Sequence, residues 1–144
     1  MIRSVASVNR LIKTLSGDEN FNRVFRNIEA LSLTDKCLTC RFQVTMNESN
    51  SFGTLHGGYI AGAVDFISSV DLFSMGHAKH VTMNLGIECY KPGVFESWIL
   101  AESYVLSLGK RIAVCEVRLL NESTKMLIAR GSHTKYLFSE SNSK

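Results

Sequence analysis

The stretch that decides the fold is residues 53–75, GTLHGGYIAGAVDFISSVDLFSM. From Gly57 onward Ile60, Ala63, Val64, Ile67 and Leu72 recur at helical spacing, and Gly76 is the residue type that ends a helix. Too few positions are polar for a broad side to face water, so the helix must be covered around most of its circumference. Asp65 stands in its middle. Three and four residues away lie Ala61, Gly62, Ser68 and Ser69, so the usual intrahelical Lys or Arg partner is missing. An ionised carboxylate in a covered helix needs a partner from elsewhere or a chemical task.

On the C-terminal side the pattern changes from helical to alternating. Val81, Met83, Leu85, Ile87 and Cys89 alternate with Thr82, Asn84, Gly86, Glu88 and Tyr90, the period-two mark of a strand. Further strands are expected over 98–108, 112–120 and 126–138, with turns at Gly109-Lys110 and Asn121–Thr124. On the N-terminal side, residues 47–53 read as a polar loop, 37–46 as a strand, and 28–34 as another strand. A short helix is expected over 21–28. Short connections between strands imply antiparallel pairing. The predicted class is therefore α+β: a five- or six-stranded antiparallel sheet wrapped around one long central helix, with an amphipathic N-terminal helix. Such a half-covered layer completes its burial by pairing with a copy of itself.

Composition bounds the rest. At 144 residues with a single proline, Pro92, and no linker or repeat, the chain reads as one domain over 1–144 with its core at about 20–138. Hydrophobic residues make up 45%, and no apolar run reaches the roughly 18 residues of a membrane span, so a soluble protein is expected. The net charge of +3 is spread thinly, which argues against a nucleic-acid partner. Cys37, Cys40, Cys89 and Cys115 read as reduced packing thiols. The Cys37–Cys40 pair lies on a strand, with its side chains on opposite faces, and no second pair supplies metal ligands. The first seventeen residues carry Arg3, Arg10 and Lys13 and no acid, which fits either an ordinary amphipathic helix or a mitochondrial presequence; cytosol and mitochondrion both stay open.

Gly57 and Gly58 open the central helix, where backbone N–H groups and the positive end of the helix dipole face outward. A carbonyl oxygen gaining negative charge would be stabilised there. Asp65 lies eight residues on, roughly 12 Å along a helix, too far to act on the same bound carbonyl. If both act on one atom they come from different copies of the chain, at a homodimer interface.

These residues, Asn50-Ser51-Phe52-Gly53-Thr54-Leu55-His56-Gly57-Gly58, six more, then Asp65, resemble the motif of the hotdog-fold acyl-CoA thioesterases, in the branch called thioesterase superfamily member two. The likeness extends to Asn20–Val24, Tyr90-Lys91-Pro92, Gly109-Lys110, Leu127–Ala129 and Gly131–Lys135. It implies hydrolysis of fatty acyl-CoA, of medium or long chain, to fatty acid and CoA, with no metal and no cofactor beyond the CoA of the substrate. It also implies a homodimer assembled into a tetramer as a dimer of dimers.

Carried over residue by residue, the resemblance gives the Gly57 N–H the task of polarising the thioester carbonyl. Asp65 of the neighbouring subunit orients or deprotonates the attacking water, Asn50 helps to position it, and Thr82 stands where relatives hold the water with a serine. The CoA-binding set becomes His56, Asn84, Tyr90, Lys91, Pro92, Gly93, Gly109, Lys110, Arg111, Ile112 and Tyr136, with Lys91, Lys110 and Arg111 suited to the phosphates. His56 is equally readable as a structural loop residue satisfied by backbone. Asn84 and Gly86 depart from the aspartate and asparagine common in relatives. Two other readings remain: an acyl-thioester hydratase or dehydratase using His56 with an acid, and an acyl-CoA-binding scaffold without catalysis.

Overall fold

A computed structural model describes residues 3–139; the first two residues of the N-terminal segment and the last five of the chain lie outside them. Helix α1 spans Val5–Leu15 and starts in a capping box, with the Ser4 hydroxyl accepting from the Ser7 N–H and the Ser7 hydroxyl from the Ser4 N–H. Its apolar face buries Val8 and Ile12. A single 3₁₀ turn, Phe21–Phe25, stands where a short helix over 21–28 was expected. Strands β1, Glu29–Leu33, and β2, Leu38–Gln43, follow. β2 is shorter than its alternating sequence suggests. Thr45 caps a second 3₁₀ turn, Met46–Glu48, through a box with Glu48, which ends the extended run.

Helix α2 occupies Gly57–Ser74. It stops where the sequence says it should: Gly76 adopts φ 96° and the His77 N–H returns to the Leu72 carbonyl at 3.0 Å. The remaining strands are β3, His80–Cys89, β4, Trp98–Leu108, β5, Ile112–Asn121, and β6, Leu127–Leu137. All six strands form one sheet in the order β1-β2-β4-β5-β6-β3, every neighbouring pair antiparallel.

Helix α2 packs across β3, β4, β5 and β6 on one face of the sheet, while α1 packs on α2 and β1. The close approach of α2 to β6 depends on Gly131, where a Cβ would lie 2.5 Å from both methyl carbons of Val64. Leu38, Phe42, Ala63, Val64, Ile99, Val117 and Leu119 are fully enclosed between these layers. Helix α2 is covered as expected, with one stripe left open that carries Asp65, Ser69 and Phe73. The four cysteines are free thiols. Cys40 and Cys115 are buried packing residues, but Cys89 is exposed, contrary to the packing role expected of it.

The two edges of the sheet differ. β1 is five residues long and partly covered by α1. β3 is ten residues long and open along most of its length, with Val81 50% and Met83 56% exposed. A long edge strand with apolar side chains is a template for pairing with another strand.

Candidate active site

The start of α2 is arranged so that one backbone N–H is used and its neighbour is left over. His56 caps the helix, its Nδ1 accepting from the Gly58 N–H at 2.8 Å while its own N–H donates to the Glu48 carbonyl at 2.8 Å. Glycine at 58 makes this cap possible, because a Cβ there would lie 2.9 Å from Nδ1. His56 therefore has a capping role at the start of α2. The Gly57 N–H donates to no acceptor among the described residues, and the space over Gly57 is open. It borders a cavity of about 340 Å³ lined also by Leu55, Ile60, Cys89, Tyr90, Lys91 and Pro92. Gly93 holds the cavity's outer loop against Leu55, accepting its N–H at 2.8 Å.

Asn50 is more committed than expected. Its side-chain oxygen accepts from the Phe52 N–H at 2.9 Å and the Thr54 N–H at 3.1 Å, and its amide donates to the Thr54 hydroxyl at 2.8 Å. It closes the 50–54 loop, leaving one amide hydrogen for any other task.

Asp65 lines a different cavity, also about 340 Å³, between α2, β3 and the Leu15–Phe25 segment. Its side chain is 48% exposed in the single protomer. The Lys135 ammonium stands 3.8 Å away, too long for a hydrogen bond. Lys135 is itself buried, donates to the Ser69 hydroxyl at 2.5 Å, and lies 3.0 Å from His80 Nδ1. Burial pushes the Lys135 ammonium below the ordinary lysine value, opposed by the Asp65 charge. His80 is pushed down to about 4 by burial and then by Lys135, so its ring is neutral and accepts the lysine proton at Nδ1.

His133, wholly buried, is likewise pushed down to about 4, first by burial and then by Lys135. Its neutral ring can be oriented from its neighbours. The Ser68 hydroxyl has the Val64 carbonyl as an acceptor at 2.7 Å, and on that ground we assign the ring hydrogen to His133 Nδ1, donating to Ser68 at 2.8 Å. Nε2 is then the bare acceptor, and at 2.8 Å it receives the Thr82 hydroxyl hydrogen. Nε2 also lies 3.8 Å from Asp65 Oδ1, but with a neutral ring that contact is no ion pair. Thr82 is thereby left with its oxygen lone pairs free beside Asp65 in the same cavity.

The predicted site residues fall into two groups at opposite ends of β3. Thr82 pairs with Lys135, and Tyr136 lies between Val81 and Ile112 in the sheet, so Asp65, Thr82, Gly109, Lys110, Arg111, Ile112 and Tyr136 belong to one end. There the Arg111 guanidinium donates to the Tyr136 hydroxyl at 2.9 Å. Asn84 and Gly86 pair with Thr134 and Ser132, on the opposite face from Thr82, after a register shift between Thr82 and Asn84. His56, Gly57, Tyr90, Lys91, Pro92 and Gly93 belong to the other end. One protomer does not bring the two groups together.

Reasoning from sequence did not single out Ser68, Ser69, His80, His133 or Lys135. A signal for two of them existed: on β6 the inward positions run Ala129, Gly131, His133, Lys135, Leu137, so two ionisable residues interrupt an otherwise core-facing row.

Comparison with known proteins agrees with this architecture. Residues 52–128 match the profile of the Thioesterase superfamily. Acyl-coenzyme A thioesterase 13 of Homo sapiens is 34% identical over 138 residues, covering 95% of this chain and 99% of that protein. The crystal structure of zebra fish thioesterase superfamily member 2 superposes with a TM-score of 0.88 at 30% identity, covering 94% of this chain and 99% of the other. A Streptococcus mutans protein bound to acetyl CoA superposes with a TM-score of 0.74 at 25% identity, covering 85% of this chain and 98% of the other. The fold is the hotdog fold, and the chain belongs to the thioesterase superfamily.

Proposed function

We propose that this protein hydrolyses fatty acyl-CoA thioesters of medium or long chain, at a site shared by two protomers. One observation carries the reading: β3 is an open edge strand with the free Gly57 N–H at one end and Asp65 with Thr82 at the other. Antiparallel pairing of β3 with β3 of a second copy, about a two-fold axis near its middle, would lay the Gly57 end of one protomer over the Asp65 end of its twin, twice per dimer. The name of the human relative and the acetyl CoA held by the Streptococcus mutans protein support the substrate class.

In this dimer the thioester oxygen sits at the Gly57 N–H of one protomer. A water lies against the other protomer's Asp65 and Thr82, donating one hydrogen to each, with its lone pair directed at the carbonyl carbon. Asp65 takes the proton as the water attacks, and the Gly57 N–H and helix dipole hold the oxyanion. Collapse breaks the carbon–sulfur bond, and the proton on Asp65 passes to the departing thiolate. His133 keeps Thr82 turned as an acceptor. Lys110 and Arg111 from one protomer and Lys91 from the other are the cations we assign to the CoA phosphates. The step needs no metal or cofactor. Two such dimers forming a tetramer is the assembly the family resemblance favours.

Among the described residues no helix is long and apolar enough to cross a membrane. Because α1 buries Val8 and Ile12 and lends Leu15 to the Asp65 cavity, we read it as part of the working enzyme. The test is release of free thiol from a series of acyl-CoA substrates. Asp65→Asn should abolish release while still binding a non-hydrolysable alkyl-CoA thioether; unchanged release would overturn the proposal.

A further inference from the structure

We infer that Phe25, seated against the bare backbone of Gly62, is a specificity-determining wall that limits the length of acyl chain the Asp65 cavity accepts. The identity of the occupant rests on the thioesterase reading; the wall itself rests on geometry. With the reacting carbonyl beside Asp65 and Thr82, the acyl chain must leave it through the remainder of this cavity. Leu15, Phe21, Phe25, Phe66 and Phe73 supply the apolar part of that remainder, and Asn22, Ser69, His80 and Lys135 supply a polar part.

Gly62 lies one helical turn before Asp65 and lines the same cavity. A Cβ at Gly62 would stand 2.6 Å from Phe25 Cζ and 3.0 Å from Cε1. The ring has little room to retreat. It is 2% exposed, stacked on Phe66 at 5.0 Å between centroids, with Tyr59 at 5.5 Å and Phe21 at 5.8 Å. An added methyl at 62 therefore takes its space from the cavity, directly or by displacing the ring. A smaller side chain at 25 returns space to it. Glycine in a helix interior weakens the helix, so its presence here calls for a close contact of this kind.

The experiment is calorimetric binding of a series of S-alkyl-CoA thioethers, butyl to hexadecyl, to the wild type, Gly62→Ala and Phe25→Leu. While each added methylene finds buried apolar surface, Kd should fall about fourfold per methylene, and the gain should stop where the chain meets the wall. In Gly62→Ala the gain should stop about one methylene earlier, and in Phe25→Leu it should continue further. A break point at the same length in the folded variants would overturn the inference. If Gly62→Ala proves unfolded by circular dichroism, Phe25→Leu decides alone. Thiol release by the wild type is measured separately. A protein that binds thioethers with these shifts but cleaves no acyl-CoA sinks the hydrolytic reading and keeps the wall; one that cleaves with unmoved break points does the reverse.

Discussion

Gly57 and Asp65 share helix α2 yet line two separate cavities, and strand β3 runs from the neighbourhood of one to that of the other. A carbonyl bound at the first cannot be reached by the carboxylate at the second within one protomer, since eight helical residues span roughly 12 Å. The shared-site proposal follows from this separation, and it can be dissected by residue.

Gly57→Pro should remove the oxyanion donor and set a ring carbon where the thioester oxygen would sit, while leaving the helix start intact. Proline is favoured at the first position of a helix, and His56 already has φ −68° and ψ 132°, the extended conformation required before proline. We expect a loss of about 10²–10³ in kcat with an unchanged melting temperature. Full activity in steady-state thiol release would remove Gly57 from the mechanism.

Mixing should restore what each variant lacks. In a heterodimer of Asp65→Asn with Gly57→Pro, one site holds both defects and the other holds neither. Random exchange of equal amounts should recover about a quarter of wild-type activity per protomer from two nearly inactive parents. No recovery, with heterodimer formation verified by mass spectrometry, would place both residues of each site in a single chain.

The two aspartates of α2 should behave oppositely in stability measurements. Asp71 is buried, paired with Arg3 of the α1 entry, and accepts the Ser103 hydroxyl at 2.8 Å; burial pushes its carboxyl upward, against the pull of Ser103 and Arg3. Asp71→Ala takes the acceptor from the buried Ser103 hydroxyl and the ion-pair partner from Arg3, and should cost about 1–3 kcal/mol in chemical denaturation. Asp65→Ala, at a half-open position, should stay within about 0.5 kcal/mol of wild type. Equal costs would mean that Asp65 is as structural as Asp71.

Acid should destabilise the fold before the ordinary carboxylates titrate. His80 and His133 are lowered from 6.5 to about 4 by burial and by Lys135, so between these values the unfolded chain binds protons that the folded chain refuses. Their contribution is complete above pH 6.5 and is lost as pH falls towards 4. The slope should approach about 1.4 kcal/mol per pH unit for each histidine at most. Urea denaturation across this range reads the slope, and His133→Gln should flatten it; an unchanged slope in that variant would show that His133 titrates normally.

Much of this protein was legible before any coordinates. Hydrophobic period marks local elements directly, because a 3.6-residue repeat and a two-residue repeat expose different faces, and so α2, its stop at Gly76 and the four long strands all appear where the pattern puts them. The extended run through Met46 was misleading, since local side-chain caps from Thr45 and Glu48 outweigh alternation at a strand end. Asp65 stood out as a carboxylate with no intrahelical partner, and Gly57 as a glycine opening the helix with its N–H outward. Tertiary structure alone decided who their neighbours are. Lys135 and His133 reach Asp65, His80 and Thr82 through the pairing of β3 with β6 across some fifty to seventy residues of chain, and no periodicity encodes the register of that pairing. The contact of Phe25 with Gly62 is of the same kind: the helix that lacks a side chain and the ring that fills its place are joined only when the chain closes on itself.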